Sequence, residues 1–180
     1  KLDNQINKLI ALIGDLLDAT KVTAGQLEYN IDLFDFNSLV SEVTEEMQQT
    51  SRKHQIKVAL DDSVEILGDR NRIGQVITNL LSNAIKYSPN SDEVLVETIL
   101  EKSQIKLLVR DFGIGISSKN QENVFDQFFR ADGFLQNTFA GLGLGLFISS
   151  KIMKRHHGDL AVNSAEGKGS TFTITLPLKK

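Results

Sequence analysis

The stretch Asn79-Leu80-Leu81-Ser82-Asn83-Ala84-Ile85-Lys86-Tyr87 decides how the rest of this sequence is read. As a helix it places Asn79, Asn83 and Lys86 at i, i+4 and i+7, so the three project in one direction. Leu80, Leu81, Ala84 and Ile85 fill the other side. Two carboxamides and an ammonium beside an apolar stripe can simply form a solvated face. They can also carry chemistry, because amide oxygens ligate hard cations and an ammonium holds phosphate as a point charge. A motif this short needs its surroundings to decide between the two.

Working outward, Asp69 opens that helix, with Ile73, Val76 and Ile77 inward, and Ser88-Pro89-Asn90 ends it, since proline lacks a donor and restricts its predecessor. Upstream, Asn37 to Lys53 reads as an amphipathic helix capped by Asn37 or Ser38, with Leu39, Val40, Val43 and Met47 facing the core. Ile56–Leu60 and Val64–Gly68 read as short strands. Downstream, Glu93–Glu101 and Gln104–Asp111 are Val, Ile and Leu-rich strands joined across Lys102-Ser103, a hairpin-length gap. A polar segment runs to Asn123, followed by the aromatic cluster Phe125, Phe128 and Phe129. Ala131–Ala140 lacks periodicity and reads as a mobile loop. A helix then runs from the glycine-rich run at Gly141 to about Arg155, with His157-Gly158 at its end. Asp159–Asn163 and Ser170–Leu178 close the chain as strands around Glu166-Gly167-Lys168-Gly169. The expected class is α+β: a two-layer α/β sandwich, its sheet mixed but mostly antiparallel, with helices on one face.

Residues 1–29 differ in kind. Ile6, Ile13 and Thr20 fall on one heptad position and Leu2, Leu9 and Leu16 on another, with Ile10 and Leu17 widening the stripe. That is the broad apolar face of a bundle helix, which needs a partner to bury it. No second helix of this type follows, so the partner is expected to be a missing segment, another copy or the domain itself. Gly25 offers a break, and Leu27–Asp35 reads as a linker with short extended pieces. A start at Lys1 without Met leads us to expect a piece of something longer. Residues 30–180 then form the domain proper.

Bulk properties exclude several classes. A net charge of −3 offers no nucleic-acid footprint. The absence of cysteine removes disulfides and thiolate metal sites. No apolar run approaches the ~20 residues of a membrane span, and no signal peptide is visible.

Three further features carry chemistry. Gly141, Gly143 and Gly145 alternate with Leu142, Leu144 and Leu146 at a helix start. Glycines let backbone N–H groups approach an anion, and a helix start adds unpaired donors. The run is neither a P-loop nor a Rossmann fingerprint, lacking the Lys-Ser/Thr of one and the leading strand of the other. Asp111 ends an apolar strand before Gly113 and Gly115. A partly buried carboxylate there wants donors, and an adenine amine is one, whereas guanine would present an acceptor. Asp111-Phe112-Gly113 also matches the metal-binding tripeptide of eukaryotic-type protein kinases, but the other kinase motifs are missing. Arg130 follows the aromatic cluster and can reach phosphate through its guanidinium fork. The three phenylalanines are expected to anchor the loop base in the core. His54 is expected in solvent, and His156 and His157 at a helix end, all three structural.

Taken in order, these clusters resemble the catalytic and ATP-binding domain of sensor histidine kinases, within the superfamily shared with gyrase, mismatch-repair and heat-shock chaperone ATPases. Asn79–Tyr87 resembles the N box, Asp111–Gly115 the G1 box, Phe125–Arg130 the F box and Gly141–Leu146 the G2 box, with Gly167–Phe172 similar to the last glycine turn. The resemblance covers residues 30–180, and residues 1–29 resemble the second helix of the preceding dimerisation and phosphotransfer domain. It implies a Bergerat-type ATP-binding fold. It implies ATP and Mg²⁺ as ligands: Asn83 on the metal with Asn79 assisting, and Lys86 and Tyr87 on the nucleotide. Asp111 would bind the adenine amine, Gly113, Gly115 and Ile116 would shape its pocket, and Arg130 would meet the γ-phosphate. Residues 117–140 would form a lid and Gly141–Leu146 its phosphate-facing hinge, and Thr171 would reach toward adenine. The superfamily's hydrolases carry Glu where Asn79 stands, so this chain is expected to transfer phosphate rather than hydrolyse ATP. The alternatives are a conformational ATPase of the same superfamily or a degenerate docking module. The family's phosphoacceptor His, followed by an acidic residue, is missing here. The implied partners are therefore an acceptor helix of the parent kinase and a response regulator receiver domain. The implied parent is a homodimer in the cytoplasm; the piece's own oligomeric state, a monomer among the options, and membrane anchoring of the parent are left open.

Overall fold

The computed structural model describes residues 2–130 and 142–178. Five strands form the main sheet: β2 (Gln55–Ala59), β4 (Glu93–Glu101), β5 (Gln104–Asp111), β6 (Asp159–Ala165) and β7 (Gly169–Pro177). Their order is β2-β4-β5-β7-β6, with β2 parallel to β4 and every other pair antiparallel. Helices α2 (Phe36–Thr50), α3 (Arg70–Lys86) and α5 (Gly145–Arg155) contribute the second layer, and the single turn α4 (Ser118–Gln121) precedes the aromatic segment. Leu39, Val40 and Val43 of α2, Ile73, Val76, Ile77, Leu80 and Leu81 of α3, and Ile148, Ile152 and Met153 of α5 are buried in one core. That core includes Val94, Val96, Ile105, Leu107, Val109, Phe172 and Ile174 of the sheet. This is the expected two-layer class, and the hairpin β4–β5 has the expected bounds, closing at Glu101↔Gln104.

The differences from the sequence reading are local. Strand β3 (Glu65–Gly68) pairs antiparallel with β1 (Asp32–Asp35) in a separate two-stranded ribbon rather than joining the main sheet. Its alternation is real, with Ile66 buried and Leu67 half exposed, but periodicity does not name a strand's neighbour. Helix α2 is capped by Asp35, not Asn37 or Ser38: the Asp35 carboxylate accepts from the Ser38 amide at 2.6 Å. Asn37 is buried and donates to the Asp61 carbonyl at 2.8 Å. His54, expected in solvent, is buried at 6 % exposure.

The first helix, α1 (Leu2–Thr23), ends at the break that Gly25 offers. Gly25 takes a left-handed φ of +67°, and the Gln26 amide bonds back to the Lys21 carbonyl at 2.8 Å. Its C-terminal part docks on the domain. Ala19 is fully buried, and Asp18 accepts from Arg72 at 3.0 Å and from Gln75 at 2.9 Å. Ile6, Leu9, Ile10, Ile13, Leu16 and Leu17 are each 45–62 % exposed. The described residues leave that stripe uncovered.

Candidate nucleotide-binding site

Helix α3 is held at both ends. At its start the Asp69 carboxylate caps the helix through the Arg72 amide at 3.0 Å and accepts from the Asn30 amide at 2.8 Å. The Asp69 N–H in turn donates to His156 Nε2 at 2.9 Å. At its end the Tyr87 amide closes on the Asn83 carbonyl at 2.9 Å. Between these ends the inward residues are buried, while Asn79, Asn83 and Lys86 stay half-buried along one side. The Lys86 ammonium lies 4.7 Å from the centre of the Tyr87 ring.

Asn79 faces the start of α5. Its Nδ2 donates to Ser149 Oγ at 3.0 Å, and Ser149 is buried. A Cβ at residue 145 would sit 2.4 Å from Asn79 Oδ1. Gly145 is therefore glycine so that the carboxamide can lie against the first turn of α5. That turn has Leu144 at its cap and, among the described residues, no side-chain cap bond, so its leading N–H groups offer donor capacity for a ligand. Gly143 has a φ of +72°, and a Cβ there would meet the Phe129 carbonyl at 2.5 Å. The glycine run thus meets α3 on one side and the aromatic segment on the other. Leu142 is part-exposed, Leu144 is buried and Leu146 packs on the core. Gly141 and residues 131–140 of the lid expected over 117–140 lie outside the described residues.

Asp111 ends β5, the central strand of the sheet. It is 4 % exposed. Its Oδ1 accepts from the Gly113 amide at 2.8 Å and the Ser170 amide at 3.3 Å. Burial pushes its carboxyl above the usual carboxylate range, and those two amides with the Ser170 hydroxyl oppose the shift. The loop after it runs against two other backbones. A Cβ at Gly113 would lie 2.0 Å from the Tyr87 carbonyl, and one at Gly115 2.0 Å from the Ala165 carbonyl. The Ile114 amide donates to that Tyr87 carbonyl at 3.1 Å, and the Ile116 amide to Ser164 Oγ at 2.8 Å. The loop is thereby pinned to the end of α3 and to the β6–β7 hairpin.

The structure brings Asn79 to the α5 start, and Tyr87 to the Gly113–Ile116 loop beside Asp111. It does not bring Thr171. In the β5–β7 register Thr171 lies opposite Arg110 and Phe172 opposite Val109. Alternation therefore puts Thr171 on the sheet face away from Asp111 and the helices. The hydroxyl beside Asp111 belongs to Ser170, which is buried. Period-two alternation from Phe172 was the signal that separates Ser170 from Thr171. The aromatic segment also departs from expectation: Phe125 packs on the core, but Phe128 is 55 % exposed with a φ of +63°. An aromatic residue in that conformation is held there by its surroundings rather than by its own preference. Arg130 follows, half-buried.

Comparison with known proteins finds a matching family. The model of the histidine kinase-, DNA gyrase B- and HSP90-like ATPase family matches residues 68–180. The chain belongs to that family. Sensor histidine kinase WalK of Bacillus subtilis is 34% identical over 181 residues, covering 98% of this chain and 30% of WalK. The solved Acinetobacter baumannii histidine kinase AdeS is 27% identical with a TM-score of 0.78, over 99% of this chain and 83% of that one. Full-length ShkA, solved in complex with AMPPNP, shares the fold at a TM-score of 0.80 and 24% identity, over 96% of this chain and 36% of that one. The chain thus spans less than a third of WalK. Within the family these likenesses support an ATP-binding domain of the sensor histidine kinase type, with a kinase catalytic-domain role. Among the described residues no helix is long and apolar enough to cross a membrane. Nor do three or more His, Cys, Asp or Glu side chains cluster as metal ligands among them.

Proposed function

We propose that this domain binds Mg-ATP and passes its γ-phosphate to a histidine on a separate helix of its parent protein, as the catalytic part of a two-component sensor kinase. The observation that carries the reading is the carboxamide of Asn79. It stands where the hydrolases of the superfamily resemble this helix but carry Glu, and its Nδ2 is taken by Ser149. An amide so held cannot accept a proton from water at neutral pH. Catalysis then rests on positioning and charge neutralisation of an in-line transfer.

In this reading the Asp111 carboxylate accepts the adenine amine, with Gly113, Gly115 and Ile116 shaping the pocket wall. Lys86 and Tyr87 lie along the nucleotide, and the N–H groups leading into α5 receive phosphate oxygens. Arg130 reaches the γ-phosphate. The metal question turns on oxygen donors. With Nδ2 bonded to Ser149, Asn79 presents Oδ1 toward the space that a Cβ at residue 145 would fill. Asn83 stands one turn further along the same face. Those amide oxygens fit a hard cation. Asn83, with Asn79 assisting, would hold Mg²⁺, which when bound neutralises phosphate charge. A receiver domain of a response regulator would accept the phosphoryl group next. A dimeric parent working in the cytoplasm belongs to the same reading.

The test mixes this chain with Mg-ATP and a fragment bearing an acceptor helix. The expected product is acid-labile, base-stable phosphohistidine on the fragment, with slow ATP turnover when the fragment is left out. Turnover without acceptor at rates of dedicated ATPases would select hydrolysis instead, and bound nucleotide with no phosphohistidine would overturn the kinase reading.

A further inference from the structure

His54 is buried, titratable and unused by the mechanism above. It sits in the turn between α2 and β2, which Gln48 staples from three directions. Gln48 Nε2 donates to the Ser51 carbonyl at 3.1 Å and the His54 carbonyl at 2.9 Å, while its Oε1 accepts from the Ile56 amide at 2.8 Å. Within that turn Ser51 Oγ accepts from the His54 amide at 3.2 Å and lies 3.2 Å from Nδ1. On the far side of the ring, Nε2 lies 3.0 Å from the Ser88 carbonyl and 3.2 Å from Ser88 Oγ. A carbonyl only accepts, so Nε2 carries the hydrogen and Nδ1 accepts from the Ser51 hydroxyl. The imidazole is a fixed strut between two serines.

What the strut holds is the exit of α3. Ser88 is fully buried, and its hydroxyl donates back to the Ala84 carbonyl at 2.5 Å. Ser88 Cα and the Tyr87 carbonyl are the atoms that a Cβ at residue 113 would strike, at 2.8 and 2.0 Å. The same Tyr87 carbonyl receives the Ile114 amide. A shift of a few tenths of an ångström at Tyr87–Ser88 therefore transmits to Gly113, whose amide sits on Asp111 Oδ1 at 2.8 Å. A buried donor aimed at one carbonyl is a costly way to fill space, since a hydrophobe would fill it without polar groups to satisfy.

We propose that His54 is a positioning residue for the adenine side of the site, setting the Tyr87–Ser88 backbone on which the Asp111–Gly113 loop rests. It does not touch the nucleotide. The inference rests on the nucleotide-site reading above, so its test has one arm that needs no nucleotide.

The variants are His54→Phe, which keeps a ring and loses the donor, and His54→Gln, whose Nε2 can donate to the Ser88 carbonyl. The first measurement is exchange of the Ile114 backbone amide in the free protein, referred to the Val109 amide within β5. The second is affinity for Mg-AMPPNP. His54→Phe should accelerate Ile114 exchange relative to Val109, and weaken Mg-AMPPNP, each by about tenfold, the scale of one lost hydrogen bond. His54→Gln should recover most of both. In the phosphotransfer assay the loss should fall on KM for ATP rather than on kcat. Unchanged Ile114 exchange in folded His54→Phe overturns the proposal. So does equal loss in the Phe and Gln variants with Ile114 and Val109 accelerated together, which would mean general packing. If His54→Phe does not fold, Ser51→Ala keeps the ring but frees its orientation. It should speed Ile114 exchange in the same sense by about threefold, and no change there overturns the proposal too. Wild-type protein that fails to bind Mg-AMPPNP would remove the nucleotide reading, while the exchange arm still judges His54.

Discussion

The two walls of the proposed nucleotide site are built differently. On the adenine wall, the atoms crowding the glycines are backbone: the Tyr87 carbonyl at Gly113, the Ala165 carbonyl at Gly115 and the Asp111 carbonyl at Gly169, all at 2.0–2.1 Å from a would-be Cβ. On the phosphate wall, the atom nearest Gly145 is Asn79 Oδ1, the end of a side chain. Gly143 stands between the two kinds, pressed on the Phe129 carbonyl at the edge of the loop. Main chain pinned at a helix end or in paired strands cannot retreat easily, whereas a carboxamide can rotate. The adenine wall is thus a rigid selector. The phosphate wall is adjustable through one side chain and one hydroxyl, which suits groups that must follow a reacting phosphate.

The largest effect should come from removing the selector's charge. Asp111→Asn keeps an oxygen for the Gly113 and Ser170 donors but loses the charge that, in the proposed site, would meet the adenine amine. Losing a charge-assisted hydrogen bond there costs on the order of 1.5–3 kcal/mol or more, so nucleotide binding should fall below detection in a calorimetric titration while the fold persists. Unchanged affinity would refute the adenine role. The free protein should respond in the opposite sense. Because burial raises the folded pKa of Asp111, its ionisation opposes folding at all pH values above that folded value. That cost fades as pH falls through the folded pKa toward the unfolded one. Asp111→Asn should therefore melt higher than wild type at neutral pH, and the gap should close on acidification into the ordinary carboxylate range. A gap that widened in acid would contradict the burial argument.

The contrast between the walls is sharpest in a pair of alanine substitutions. Gly113→Ala drives a methyl into the Tyr87 carbonyl, and overpacking of this kind typically costs about 1–3 kcal/mol. Gly145→Ala drives one into a movable amide, and alanine in a helix is favoured over glycine by about 1 kcal/mol. Denaturant unfolding should thus find Gly113→Ala clearly destabilised and Gly145→Ala close to wild type. Phosphotransfer should nonetheless suffer in Gly145→Ala, because its methyl displaces Asn79 and breaks the bond to Ser149. Equal losses of stability in the two variants would erase the distinction.

Much of this was legible in the residues themselves. The α3 stripe, the β4–β5 hairpin and the glycine-led α5 all follow from periodicity and turn chemistry, because each has a long, uninterrupted pattern. The class followed from their order. What was not legible depends on neighbours remote in sequence. His54 sits among Arg52, Lys53 and Gln55, all polar, and its ring partner Ser88 lies 34 residues on. Strand β3 alternates like a sheet strand, yet its partner is β1, which lies before α2 and β2 in the chain. Gly113 and Gly145 look alike in sequence, and only the atom opposite each distinguishes a backbone clash from a side-chain one.

The smallest expected effect tests the two neighbouring hydroxyls on β7. Ser170 and Thr171 are adjacent, but alternation sends them to opposite faces. The Ser170 hydroxyl helps hold the Asp111 carboxylate, so Ser170→Ala should loosen it and weaken Mg-AMPPNP by a factor of about five, in keeping with about 1 kcal/mol for one hydrogen bond. Thr171→Val keeps a β-branched residue on the outer face, opposite Arg110, and should leave affinity within about twofold. The comparison is decisive because it holds sequence position nearly constant and changes only the face. A larger loss in Thr171→Val than in Ser170→Ala would mean that the outer face of the sheet, and not the Asp111 side, meets the base. In that case the rigid wall described above would belong to the core alone.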